Sequence, residues 1–69
     1  MNTFAKKLKE LRKKNGLSQR ILAVAMKVSQ SAIHSWECDI HEPSLCKLFE
    51  LCRFFNVKSD YILGVNDFE

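Results

Sequence analysis

Gln30, Ser31, His34 and Ser35 place four short polar side chains within six positions of the chain. A carboxamide donates and accepts hydrogen bonds at once, a hydroxyl can do either, and an imidazole offers both roles through its two nitrogens. A face of this kind is poor for burial. It suits the alternating donors and acceptors on the edges of nucleic-acid bases. It does not suit bond-breaking chemistry: no nucleophile, base and orienting acid stand at informative spacing, and no glycine-rich phosphate loop is present, so no catalytic residue is assigned. On spacing alone, an ordinary helical hairpin with a solvated outer face fits the same residues.

The polar face must be carried by a helix, and the flanking residues define one. Ile33 and Trp36 fall on a common face at helical spacing, with Ser29 ahead of them as N-cap, which gives a helix over 30–37. Ser18 caps another over 19–26, whose inner face is Leu22, Ala23 and Met26. Lys27 and Val28 fall where the tight turn between the two must lie. Upstream, Phe4, Leu8 and Leu11 form the buried stripe of a helix over 3–15, capped by Asn2 or Thr3 and closed by a left-handed Gly16 with Leu17 sealing the cap. Downstream, Ser44 caps a helix over 45–55 with Leu45, Leu48, Leu51, Cys52 and Phe55 as its core stripe. A short helix over 60–63 follows, capped by Ser59 and ended by Gly64, with Val57, Ile62 and Leu63 closing the core. The expected fold is all-α, a compact bundle of five helices. One domain spans residues 1–69, with its core at about 3–64 and a short tail over 65–69.

Composition limits the function classes. A chain of 69 residues buries only about 60% of its unfolded surface. That leaves little room to enclose a substrate pocket. No apolar stretch approaches the roughly 20 residues that span a bilayer, and the N-terminus is a basic amphipathic segment instead of the apolar core of a signal peptide, so the chain is expected in the cytoplasm, away from membranes. Cys38, Cys46 and Cys52 are odd in number and form no C-x-x-C pair, which favours free thiols. Cys38, His41 and Cys46 supply three conceivable zinc ligands and no evident fourth, so neither metal nor cofactor is expected. The net charge of +3 is mild, but it is unevenly placed: Lys6, Lys7, Lys9, Arg12, Lys13 and Lys14 crowd the first helix against Glu10 alone. Such a segment favours a polyanion, although a solvated lysine-rich face looks the same.

The ordered set Leu11-Arg12, Gly16-Leu17-Ser18-Gln19, Leu22-Ala23, Val28-Ser29, Ile33, Trp36-Glu37, Pro43, Val57 and Ser59-Asp60-Tyr61-Ile62-Leu63-Gly64 resembles the lambda-repressor/Cro-like helix-turn-helix family over nearly the whole chain. The resemblance implies sequence-specific binding of double-stranded DNA by a transcriptional repressor whose third helix enters the major groove. Gln30 is then the first candidate for base readout, since its amide matches the N6/N7 edge of adenine. Ser31 and Ser35 reach a base edge or a phosphate, and Ala32 meets a thymine methyl or packs. Phosphate contacts fall to Gln19, Ser18, Arg20, Lys27, Ser29 and His34, with a solvated surface role open for Gln19 and His34. The resemblance also pairs Arg12 with Glu37 as a structural ion pair. It implies a homodimer on an inverted-repeat operator, for which Phe54, Tyr61 and Phe68 are the interface candidates.

Three stretches depart from the family pattern. Lys27 stands where glycine is usual, at a strain of about 1 kcal/mol. Ile21, Val24 and Ala25 replace charged or polar residues, making the second helix apolar nearly all round and offering the Ile21/Val24 face to a second chain or another protein. The segment from Cys38 to Glu42 carries Asp39 and Glu42 where basic residues usually hold the phosphate backbone. These departures keep a second reading open: a protein-interaction module or antitoxin-type regulator on the same scaffold.

Overall fold

The computed structural model describes residues 2–65. Five helices follow one another: α1 (Asn2–Lys14), α2 (Gln19–Met26), α3 (Gln30–Glu37), α4 (Leu45–Phe55) and α5 (Ser59–Ile62), and among the described residues there is no strand. Three of them begin in the same way. Ser18, Ser29 and Ser44 lie in extended backbone, and each hydroxyl oxygen accepts the amide N–H three residues on, from Ile21, Ala32 and Lys47, at 3.1, 3.1 and 3.2 Å. Each bond satisfies a first-turn donor that the helix itself leaves open.

The helices also end alike. Gly16, Lys27, Asp39, Asn56 and Gly64 all have positive φ, between 56° and 78°. In each case the following residue returns its N–H to a carbonyl five positions back: Leu17 to Arg12, Val28 to Ala23, Ile40 to Ser35, Val57 to Cys52 and Val65 to Asp60, all at 2.9–3.0 Å. This is the Schellman closure, and the residue that completes it is apolar every time. Leu17, Val28 and Val57 also pack against the core. Gly64 has a second reason to lack a side chain, because a Cβ there would come within 1.9 Å of Thr3 Cγ2, where the end of α5 meets the start of α1. Lys27 occupies its left-handed position without a glycine's freedom. We expect Lys27→Gly to stabilise the fold by about 0.5–1 kcal/mol, with the larger entropy of the unfolded glycine chain offsetting part of the gain. Urea unfolding checks this. Asn56→Gly should gain less, since asparagine tolerates the left-handed region.

The core gathers Phe4, Leu8 and Leu11 from α1, Leu22, Ala23 and Met26 from α2, Ile33 and Trp36 from α3, Leu48, Leu51 and Cys52 from α4, and Ile62 from α5. Helices α2 and α3 make the most extensive contact, and α1 lies across α3. A lysine ties α4 to the end of α2: Lys47 Nζ donates to the Met26 carbonyl at 2.8 Å and sits 3.3 Å from Glu50. A cation is favoured there by the exposed carbonyls of a helix C-terminus.

Three sequence expectations are corrected. Leu45 is 66% exposed and is not part of the core. As the first residue of α4, its side chain leans back over the preceding connection, away from the helices that cover Leu48 and Leu51. Helix α5 starts at Ser59, so Lys58 occupies the cap position, and it makes no side-chain cap bond. Asn2 and Thr3 lie inside the first turn of α1 instead of at its cap position.

Candidate functional site

Gln30, Ser31, His34 and Ser35 share one side of α3, as residues three and four apart on a helix must. With Gln19 from the start of α2 they line an open depression of about 380 Å³. Gln30, Ser31 and His34 are exposed, whereas Ser35 and Gln19 are half-buried. Every lining residue carries a polar side chain, and the hydroxyls, amides and imidazole present both donors and acceptors to whatever lies against them. Ala32 is not among the lining residues. It is half-buried and packs against the core.

A network below the depression holds it in place. Arg12 Nε donates to Glu37 Oε2 at 2.5 Å and Arg12 Nη2 to Glu37 Oε1 at 3.0 Å, while Arg12 Nη1 donates to the Leu17 carbonyl at 2.8 Å. The Glu37 side chain is 2% exposed. Its Oε1 also accepts from Gln19 Nε2 at 3.1 Å. The Glu37 hydrogen bond, reinforced by the carboxylate's charge and opposed by partial burial, holds the Arg12 guanidinium above its ordinary value. Together these bonds lock α1, the α1–α2 connection, the start of α2 and the end of α3 to one another. Gln19 is therefore fixed by its amide N–H while remaining at the edge of the polar depression.

The remaining candidates lie around this centre. Ser18 and Ser29 are exposed, and their oxygens accept the cap bonds, which leaves each hydroxyl hydrogen able to donate outward. Lys27 is exposed at the α2–α3 turn. Arg20 lines a different depression, of about 540 Å³, with Ser18, Ile21, Val24 and Ala25. Its floor is apolar: Ile21 is 54% and Val24 73% exposed. Phe54 is exposed and meets Phe55 edge-on at 5.1 Å between ring centroids. Tyr61 is half-buried against the core, with Lys7 Nζ 4.8 Å from its ring centroid. Phe68 lies outside the described residues. After α3, Asp39 takes the left-handed closing position, and Asp39, Ile40, His41 and Glu42 are all exposed.

Sequence reasoning missed two contacts. One is the Lys47 tie to Met26, across 21 residues, for which no local pattern exists. The other is Cys38, whose Sγ lies 3.5 Å from His34 Nε2. Its i, i+4 spacing on one helix was the available signal.

Known proteins are similar to this chain in sequence. A helix-turn-helix family pattern matches residues 8–62. An uncharacterized HTH-type transcriptional regulator of Bacillus subtilis (strain 168), YobD, is 34% identical over 64 residues, covering 93% of this chain and 57% of its own length. The HTH-type transcriptional regulator ImmR of the same organism is 31% identical over 65 residues, covering 94% of this chain and 51% of its own. The chain thus spans little more than half the length of these relatives.

Proposed function

Because the chain belongs to the helix-turn-helix family, we propose that it is a sequence-specific double-stranded DNA-binding regulator, acting as a cytoplasmic transcriptional repressor through α3 in the major groove. The polar depression formed by Gln19, Gln30, Ser31, His34 and Ser35 carries this reading. It is exposed, rich in hydrogen-bonding groups, and backed by an ion pair that fixes the helix bearing it. In this reading Gln30, Ser31 and Ser35 read base edges. Gln19, Ser18, Arg20, Lys27, Ser29 and His34 hold phosphates.

One recognition helix reads only a few base pairs, and two copies on an inverted repeat would sit about 34 Å apart, one turn of the duplex. The domain measures 28 × 23 × 20 Å. In this reading the two copies form a homodimer on DNA. Phe54 and Tyr61 are the candidates at its interface, together with Phe68 beyond the described residues.

Selection from a random double-stranded DNA library at moderate salt, with sequencing of the bound fraction, tests the proposal. An enriched inverted repeat supports DNA readout and the dimer together, a single enriched half-site supports the readout alone, and no enrichment by folded protein rejects it.

The exposed Ile21 and Val24 favour a second reading, in which the outer face of α2 binds a partner protein or another copy, as in an antitoxin-type regulator. Solvent-facing β-branched residues side by side are a candidate contact surface. If that face self-associates, Val24→Glu shifts the protein to monomer in sedimentation analysis at high concentration. A monodisperse monomer unaffected by the substitution removes self-association.

A further inference from the structure

We propose that Ile21, Val24 and Ala25 on α2 and Phe54 on α4 form one self-complementary face that pairs with the same face of a second copy, Arg53 of each chain meeting Glu50 of the other. This rests on the second reading above, in which the outer face of α2 is a contact surface, and it names the occupant. Ile21, Val24 and Ala25 stand at i, i+3 and i+4, so they share a side of α2 turned away from the buried Leu22, Ala23 and Met26. Two depressions meet there. The one lined by Arg20, Ile21 and Val24 includes Ala25, and so does a second, of about 330 Å³, lined by Met26, Glu50, Arg53 and Phe54. Through Ala25 the exposed apolar surface of α2 continues to the exposed Phe54 ring.

Charge decides what covers this face. A contact about a two-fold axis needs a patch that complements itself, because a residue that meets another across the axis is met by it in turn. This patch carries both signs. Glu50 and Arg53 are exposed and stand three residues apart on α4, so both border the same depression. Among the described residues they are not paired with each other. Glu50 Oε1 lies 3.3 Å from Lys47 Nζ, which leaves Oε2 open, and Arg53 has no acidic partner among the described residues. A guanidinium without an acid and a carboxylate oxygen without a donor thus flank one apolar centre. A half-turn of a second copy sets each opposite the other, twice. A patch of a single sign would call for a different protein.

The face is separate from the surface assigned to bases. The polar depression on α3 shares no lining residue with either of these two, so the pairing makes no use of Gln30, Ser31, His34 or Ser35.

Sedimentation equilibrium of the full chain, with circular dichroism to check folding, tests the pairing. The unsubstituted protein should dimerise with a dissociation constant below about 1 mM. Glu50→Arg and Arg53→Glu each set like charges against each other across the axis, and each should weaken the dimer at least about tenfold. The exposed pair of Glu50 with Lys47 contributes little to the fold, so Glu50→Arg should stay folded. The two variants mixed in equal amounts should pair with one another, and a chain carrying both substitutions should pair with itself, each to within about threefold of the original. Damage to the fold of either chain would not be repaired in this way. A monomer at about 1 mM overturns the proposal and leaves the α2 face only a different protein to bind. A dimer that Val24→Glu abolishes and the charge reversals leave unchanged overturns the pairing, with the α2 face still a contact surface. A dimer that none of these substitutions weakens overturns both.

Discussion

Glu37→Ala should lower the stability of the domain by about 3 kcal/mol, the scale seen when one partner of a buried ion pair is removed. The geometry explains why one carboxylate matters so much. Its two oxygens accept from Arg12 Nε, Arg12 Nη2 and Gln19 Nε2. Alanine leaves a guanidinium whose side chain is 10% exposed with only the Leu17 carbonyl as a partner among these groups. An uncompensated charge at a largely buried site is costly, whereas an apolar replacement of both partners removes the charge and the need for it. Arg12→Met combined with Glu37→Leu should therefore lose much less than the sum of Arg12→Ala and Glu37→Ala. Urea denaturation followed by circular dichroism measures all three variants against the unsubstituted protein. Small domains are stable by about 5 kcal/mol or somewhat more, so the single variants should also show a large drop in melting temperature. Losses that simply add would mean that the pair is not coupled. Arg12 is held above its ordinary value, so on the alkaline side the pair's contribution is fully present below that ordinary value and is lost only as pH rises through the raised one.

Gln30→Ala should relax base preference at one position of the operator and cost about 1–3 kcal/mol on the best site, with little change on unrelated DNA. Gln30 is exposed on the first turn of α3, and its removal leaves the buried residues untouched, so a change in binding can be read without a change in folding. Arg20→Ala and Lys27→Ala should behave differently. Each should weaken every sequence alike and reduce the log-log salt slope by about 1. Library selection with each variant, paired with fluorescence anisotropy titrations at several salt concentrations, separates the two patterns. Uniform loss for Gln30→Ala would move it from base reader to backbone contact.

Much of the architecture is written locally. The bounds of α2, α3 and α4 follow from Ser18, Ser29 and Ser44 and the apolar spacing after them, because a cap bond spans only three residues. The closing turns are legible where Gly16 and Gly64 announce them and at Lys27, where the family pattern has glycine; at Asn56 the left-handed region emerges only in the structure. Leu45 misled because spacing alone does not say whether an element covers the first turn of a helix. Ser59 misled because two residues in succession can act as the cap, and backbone geometry selects Lys58. Of the site, Gln30, Ser31, His34 and Ser35 were visible as a polar face, and Gln19 joins them only in three dimensions. Arg12 and Glu37 stand 25 residues apart, so no local pattern links them. Their pairing entered through the family resemblance.

The shared Schellman closures bear on how quickly the chain reaches its fold. Start and stop signals of α2, α3 and α4 lie within each helix or one or two residues beyond it, so these helices can define their own ends before distant parts of the chain meet. What remains is docking of short preformed pieces across short connections, a search with little loop-closure entropy to overcome. The chain should refold as a single phase in the microsecond-to-millisecond range typical of helical domains rich in local contacts. Lys27→Gly should leave that rate nearly unchanged and instead slow unfolding, if the α2–α3 turn tightens only after the rate-limiting step.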